Sequence, residues 1–498
     1  MPVPSTLPRT DAQLFENYIG GKWCASSDGR TFEHRNPADL EAITGLWPQS
    51  PRADARKAID AAARAFPRWS GLTVYERAAV LKKALAAMEQ RREEIAGVIT
   101  LENGKTLAES RTEVDAAIRE MEFQIHQGLR ALGTTMPSAA PQVFAYSTRR
   151  PLGVVSVISP WNFPFNVPGR KCTPALIAGN TVVFKPASLT PRTGQMFVRL
   201  FVDAGMPDGV INFITGGGST VGEELTTNST IRAISFTGST GVGKQLQSKA
   251  GANLIRTQLE LGGKNPMVVL EDADLERAAA DAALAAFACA GQWCTSTSRL
   301  IVVDSIADEM VERLVSVAKA HVLGPGADAR STMGPVCGSD QLASILQYID
   351  IGRAEGAIVA AGGSRMSSDG LGAGCFIAPT IFTGVTPVMR IAREEIFGPV
   401  LSIIRVKDFD EAIDVANGVE FGLASSIYTN DFSRALTFLE RTDVGLTHVN
   451  MLTAYKEPQL TFGGVKASGF GIPEAGESGI EFFTEHKVAY LRYGRPRA

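Results

Sequence analysis

From residue 154 to residue 261 the chain alternates short apolar runs with helical stretches, and few folds accept that pattern. The runs lie at 154–158, 181–184, 210–214, 233–236 and 255–261, and are rich in Val, Ile and Phe. Strands lacking a polar face are buried on both sides, and strands joined through helices run parallel. The pattern therefore predicts a parallel sheet covered by helices on both faces. Such sheets bind ligands beyond the carboxyl ends of their strands. The turns there hold Gly216-Gly-Gly218 and Gly238-Ser-Thr-Gly-Val-Gly-Lys244. A second α/β run begins at 267–270 and continues through strands near 300, 357, 400 and 446, so the boundary is expected at Gly262-Gly263.

Ahead of the alternation, residues 1–20 read as a loose leader and 18–23 as a short hairpin. Ser50 offers a helix N-cap with Pro51 at the first helical position, and Ile59, Ala62, Ala63 and Phe66 form one apolar face. Thr73-Val-Tyr-Glu76 is a capping box opening a helix to about residue 100. A third helical run, near 107–130, ends at a Gly/Pro/Ser-rich break at 133–141. Residues 143–150 and 481–493 both read as exposed strands. Long unpaired edges invite pairing, which predicts an oligomer.

Composition excludes several classes. A chain of 498 residues is two or three domains long, and a net charge of −3 gives no footprint for nucleic acid and no basic face for a membrane. No apolar run reaches the length of a membrane span, and the first residues lack the apolar core of a signal peptide, so a cytoplasmic protein is expected. Six scattered cysteines without a Cys-x-x-Cys and five isolated histidines give no metal-ligand spacing.

Cys294 is the residue with the most chemical interest. An Ala-rich helix capped by Asp274 should run to a stop at Gly291, and 299–304 reads as a buried strand, which puts Cys294 on the turn between them. A free cysteine is commonly just a small buried hydrophobe. A helix C-terminus also disfavours a thiolate, so a reactive Cys294 would need a base or a positive charge nearby. Glu260 stands at a strand end before two glycines, and Asn162 follows the first strand of the alternation. Each could equally be an ordinary turn residue. The run ending in Lys244 approaches a phosphate-binding loop, but Gln245 stands where a Ser or Thr would hold Mg²⁺. Such a turn still offers free N–H groups to a dinucleotide pyrophosphate. Gly216-x-Gly218-x-x-x-Gly222 departs from the dinucleotide fingerprint by one spacing.

Seven motifs taken together resemble the aldehyde dehydrogenase superfamily: Pro160-Trp-Asn-Phe-Pro, Gly179-Asn-Thr-Val-Val-Phe-Lys-Pro186, Phe236-Thr-Gly-Ser-Thr, Leu259-Glu-Leu-Gly-Gly-Lys, Gly291-Gln-x-Cys294, Glu394-Glu-Ile-Phe-Gly-Pro399 and Phe462-Gly-Gly-x-Lys-x-Ser-Gly469. They occur in the family's order and span nearly the whole chain. The resemblance implies an α/β fold with a Rossmann-like cofactor domain (1–135 with 153–262) and an α/β catalytic domain (263–470). A small β oligomerisation sheet would join 136–152 to 471–498 in a homodimer or homotetramer.

The resemblance also implies roles. Cys294 would attack a small-molecule aldehyde to give a thiohemiacetal, Asn162 and the Cys294 N–H would hold the oxyanion, and hydride transfer would leave a thioester. Glu260 would activate the water that releases the acid. Lys171 and, one residue out of register, Glu474 match a proton relay. NAD(P)+ would be held by Ile158, Ser159, Trp161, Lys185, Ser188, Gly218, Gly222, Phe236, Ser239, Leu261, Glu395 and Phe397. Ser188 replaces a Glu common in NAD-preferring relatives, which predicts that NADP+ is accepted, with preference for it as the further expectation. Arg170, Phe163 and Phe462 would line the substrate pocket. Relatives acting on succinic semialdehyde have an arginine at the Arg170 position and a second one where this chain has Ala288. The expected substrate is thus a carboxylated semialdehyde, 2-oxoglutaric or succinic, with Arg170 pairing to a protein carboxylate as the plainer alternative. A neutral-aldehyde dehydrogenase, a cysteine hydrolase and an inactive structural relative are the rival readings.

Overall fold

The computed structural model describes residues 13–130, 133–368 and 370–494. The first 12 residues of the expected leader and the last four of the C-terminal segment lie outside the described residues. The rest of that leader is ordered. Phe15 stacks on Trp47 with ring centroids 4.1 Å apart, and Asn17–Ile19 pairs with Lys22–Cys24 as the expected hairpin.

The five predicted strands form the parallel centre of an eight-stranded sheet. Its order is Lys22–Cys24, Asn17–Ile19, Ile211–Phe213, Thr181–Lys185, Val154–Ile158, Ile231–Thr237, Arg256–Glu260, Gly469–Phe470. The first strand of the alternation lies in the middle. From it the chain winds outward through two strands on one side, then returns to build the other, which makes its carboxyl end a topological switch point. The register pairs Ile158 with both Lys185 and Phe236, and Thr237 with Glu260, so these residues share one edge.

A seven-stranded sheet follows in the order Ile358–Ala361, Thr380–Thr383, Val400–Val406, Thr297–Val303, Asn265–Val269, Ala424–Tyr428, Leu446–Val449. Thr380–Thr383 and Ala424–Tyr428 were not among the expected strands. The third sheet joins Thr484–Arg492 to Val143–Pro151 over nine residue pairs, with Thr135–Met136 beyond. It leaves Thr484–Arg492 as an edge with Tyr490 and Leu491 exposed.

Several boundaries differ from expectation. The first long helix is Arg52–Gly71 with Pro51 itself at the N-cap, because the Ser50 hydroxyl accepts from the Asn17 amide instead of capping. The capping box at Thr73 is present, but its helix stops at Gln90 and a new one, Arg92–Asn103, starts after a break at Arg91. The C-terminal strand begins at Thr484, since Ser478–Phe482 is helical and buries Phe482. Lys244 points outward to Glu420, 3.7 Å away, and serves no phosphate loop.

Asn180 ties these parts together. It is fully buried, its carbonyl accepts from the N–H groups of Leu152 and Gly153, and its amide donates to the carbonyls of Ala175 and Phe483. Asn180→Ala removes the partner of the Leu152 and Gly153 N–H groups and of the Phe483 carbonyl, while the Ala175 carbonyl keeps the Asn180 N–H, and should cost about 3 kcal/mol. The denaturation midpoint should fall and amide exchange should rise along Thr484–Arg492. An unchanged midpoint would show that the bonds carry no net stability.

Candidate active site

The turn bearing Cys294 is built by an unusual backbone. The Asp274-capped helix ends at Phe287, four residues before the expected stop at Gly291. Cys289, Ala290 and Gly291 follow in the left-handed region at φ 53°, 53° and 68°. Cys289 therefore lies on this turn and not on the helix, with its N–H on the Glu109 carboxylate at 2.7 Å. Only glycine fits at 291, because a Cβ there would collide with the Gly398 carbonyl. Gln292 fixes the turn, donating to the Cys289 carbonyl and accepting from the Cys337 N–H.

The Cys294 carbonyl accepts from the Asn265 amide at 2.8 Å, and a Cβ on Gly263 would approach that carbonyl to 2.7 Å. Gly263 thus lets the end of one sheet close on the Cys294 turn of the other, while Gly262 makes room for Glu395. Asn162 is buried and donates one amide hydrogen to the Gln292 carbonyl at 3.1 Å. Among the described residues no hydrogen bond engages the Cys294 N–H.

The C-terminal segment closes the site. Gly469–Phe470 pairs antiparallel with Leu259 and Glu260, and Phe462 pairs with Glu474. Cys294 packs against the cluster of Leu423, Phe462 and Ala475. Arg170 lies over the Phe462 ring at 4.3 Å, and its Nε faces Glu474 Oε2 at 2.9 Å without the alignment of a hydrogen bond. No hydrogen bond among the described residues takes up its Nη atoms. Lys171, one residue on, is fully buried and bonds Glu474 and the Ser235 hydroxyl. The structure thus brings Lys171 and Glu474 together despite the one-residue offset in the motif. Phe163 lies beside Trp293, ring centroids 5.3 Å apart, under the ammonium of Lys105.

Burial sets the protonation states. The Cys294 thiol is pushed up to about 12 by burial, with Arg170 pulling it down and Glu260 and Glu395 pushing it further up. Glu260 is raised well above the carboxylate range by burial and by the charge of Glu474, and its Oε2 has no partner. Burial also opposes Glu474 ionisation, but Lys171 and Arg170 outweigh it and hold that carboxyl low. Burial lowers Lys171 in spite of Glu474.

The expected dinucleotide positions line the carboxyl edge of the eight-stranded sheet. Ile158, Ser159 and Lys185 sit at two adjacent strand ends, and burial lowers Lys185 to about 8. Gly218–Gly222 forms a tight turn after one strand. Ser239 begins the helix Thr240–Gly251 without capping it, which leaves that helix's first N–H groups for a ligand. Ser159 Oγ and Thr237 Oγ1 are buried with no partner, as groups awaiting a polar ligand would be. Phe236 and Leu261 are buried, whereas Ser188 is exposed. Glu395 accepts the Gly263 N–H at 2.9 Å and burial raises it to about 7, while Phe397 at φ 55° meets Trp161 edge-on. The residues present fit a dinucleotide.

Two features escaped sequence reasoning. Lys105 and Glu113 form a buried ion pair at 2.6 Å, and Glu113 also caps the N–H groups of Phe165 and Asn166 at the start of the helix carrying Arg170 and Lys171. Lys456 reaches toward the Phe462 ring from the loop after Leu446–Val449. Neither lies in a motif, and an isolated lysine gives no signal until the fold supplies its neighbours.

At pH 8 a thiol with a pKa of about 12 is roughly 0.01% ionised. Alkylation of the ligand-free protein should therefore be slow at pH 8 and keep climbing beyond pH 9, where an ordinary thiol levels off. Cys294→Ala should remove both this labelling and turnover, and Cys289→Ala should retain both. Rapid labelling at neutral pH would mean that Cys294 is already activated.

Comparison with known proteins agrees with this geometry. The aldehyde dehydrogenase family pattern matches residues 23–489. The chain is 41% identical to alpha-ketoglutaric semialdehyde dehydrogenase of Bacillus subtilis, covering 97% of this chain and 99% of that protein. It is 38% identical to the succinate-semialdehyde dehydrogenase [NADP(+)] of Escherichia coli, over 96% and 98%. A crystal structure of betaine aldehyde dehydrogenase from Staphylococcus aureus in complex with NAD+ superposes with a TM-score of 0.93 at 34% identity, covering 96% of this chain and 95% of that one. With a family pattern matching residues 23–489 and a relative 41% identical over nearly all of both chains, the chain belongs to the aldehyde dehydrogenase family.

Proposed function

We propose that the protein oxidises the semialdehyde of a short dicarboxylic acid to the dicarboxylate, 2-oxoglutaric semialdehyde being the leading candidate and succinic semialdehyde the second. The observation that carries this reading is the buried guanidinium of Arg170. It lies against the same Phe462 that packs beside Cys294, and its Nη atoms are free of protein hydrogen bonds. The names of the relatives from B. subtilis and E. coli support the substrate class. The guanidinium also faces Glu474 at 2.9 Å, the protein-carboxylate pairing that the sequence offered as the plainer alternative, and a neutral aldehyde would leave it with that partner alone.

In this reading the Cys294 sulfur adds to the aldehyde carbon, and its proton passes to a base. The oxygen gains negative charge against the second amide hydrogen of Asn162 and the free Cys294 N–H. Bound NAD(P)+ supplies the acceptor for the hydride whose departure turns the thiohemiacetal into a thioester. Glu260 takes a proton from water, which attacks the thioester carbon and releases the acid and the thiol. Its pKa is raised by burial and by the charge of Glu474, as suits a base, and the bonded Lys171 and Glu474 would carry the proton onward. Ile158, Ser159, Trp161, Lys185, Gly218, Gly222, Phe236, Ser239, Leu261, Glu395 and Phe397 would hold the cofactor.

We infer further that the two large sheets belong to a cofactor domain and a catalytic domain divided near residue 262, as the motifs imply. The exposed edge of Thr484–Arg492, bearing Val488, Tyr490 and Leu491, supports a homodimer or homotetramer built through the small sheet. No described helix is long and apolar enough to cross a membrane. The six free cysteines favour a reducing, cytoplasmic setting.

The test is absorbance at 340 nm with succinic and 2-oxoglutaric semialdehydes against butanal, each with NAD+ and NADP+. Equal kcat/KM for carboxylated and neutral aldehydes would remove the semialdehyde reading. A base with a raised pKa becomes available only as pH rises through that value, so the kcat profile should show a rising limb above the usual carboxylate range. Glu260→Gln should lose that limb and stall after one burst of reduced cofactor, and a wild-type steady state would exclude Glu260 as the base. Ser188→Glu should weaken NADP+ use by about 10-fold, with NAD+ little changed, through repulsion of the 2′-phosphate.

A further inference from the structure

Lys456 belongs to the loop between Leu446–Val449 and Thr461–Phe462, and that loop is fastened to the nucleophile segment. Thr453 Oγ1 donates to the Thr295 carbonyl at 2.6 Å and meets the Thr297 hydroxyl at 2.9 Å. The position of Lys456 is therefore set relative to Cys294. Its ammonium lies 5.5 Å from the Phe462 ring that also carries Arg170, and about a quarter of its side chain, 27%, remains exposed.

Its protein partners leave it incompletely compensated. Asn166 Oδ1 is 3.3 Å away, and the nearest Glu120 oxygen is 3.6 Å away, beyond hydrogen-bond length. An ammonium has three donors, and only one is engaged here. Asn166 Nδ2, beside it, is buried with no acceptor. The charged groups around the cleft are Arg170, Lys171 and Lys456 against Glu474, Glu120 and Glu260. Glu120 Oε1 has no partner and repels an anion on its own side, so an incoming carboxylate is confined to the side of Asn166 Nδ2.

We propose that Lys456 Nζ and Asn166 Nδ2 receive the carboxylate at the far end of the substrate, with Lys456 supplying the second cation that the chain lacks at Ala288. This rests on the semialdehyde reading given above. Arg170, held through Nε by Glu474 and resting on the same Phe462 ring, then adds its Nη atoms as the first cation for the distal group. Burial and Arg170 together lower Lys456 to about 8, as expected of a cation awaiting a counter-charge.

The test compares Lys456→Met, Lys456→Gln and Lys456→Arg with the wild type, using succinic semialdehyde and butanal, which share a four-carbon chain. Loss of one charge-assisted contact should raise the KM for succinic semialdehyde about 10- to 100-fold in the Met and Gln variants. Their kcat and their KM for butanal should stay within about twofold, and the Arg variant should retain most of the preference. If the wild type prefers neither succinic nor 2-oxoglutaric semialdehyde to butanal, the semialdehyde reading falls and this proposal with it. If the wild type does prefer it and the neutral variants keep the same preference, the reading stands and the role of Lys456 is overturned. Equal losses for both aldehydes with a lowered melting temperature in the Met and Gln variants would make Lys456 a structural bridge to Glu120, which also overturns it.

Discussion

Two residue pairs, Leu259 with Phe470 and Glu260 with Gly469, clasp the C-terminal segment to the last parallel strand of the eight-stranded sheet, and the site depends on that clasp. It is reinforced by the Leu261 N–H on the Ser468 carbonyl at 2.8 Å. Through it Phe462, Glu474 and the Lys456 loop come to lie over helix Asn166–Ile177, some 300 residues away in the chain. Each hydrogen bond is worth only about 1 kcal/mol net, but the clasp fixes register, and a one-residue slip would turn Glu260 to the wrong face.

The charges drawn together by that arrangement are expensive. Arg170, Lys171 and Glu474 are buried almost completely, and moving ions out of water costs several kcal/mol each before pairing returns part of it. A chain selected for stability alone would place apolar side chains there. Their retention fits a cleft whose work is electrostatic, where low polarity strengthens every contact with a developing charge. Lys105 and Glu113 extend the same logic one layer outward, because Glu113 holds the N–H groups at the start of the helix that bears Arg170 and Lys171.

Much of this was legible in the sequence, and the omissions have physical causes. The five parallel strands could be read because apolar runs flanked by turns leave little choice of partner, and Cys294, Glu260 and Asn162 could be found because each stands at a strand end or turn within a motif. The helix end at Phe287 could not be read. An Ala-rich run carries no stop signal, and Cys289 and Ala290 take a left-handed backbone that neither side chain announces. The break at Arg91 was hidden by good helix formers on either side. Lys456 was invisible because its meaning comes from Phe462, Asn166 and Glu120, which are distant in sequence.

The neutral state of the Cys294 thiol has a consequence for the protein at rest. Peroxide and other oxidants attack thiolates, and the first product, a sulfenic acid, leads on to forms that no thiol can reduce. A half-buried cysteine whose proton is held tightly is a poor target for that chemistry. The same burial that would make Cys294 dependent on its surroundings for reactivity thus shelters it in the ligand-free protein, and if it is the nucleophile, its exposure to damage is confined to the intervals in which the cleft is occupied.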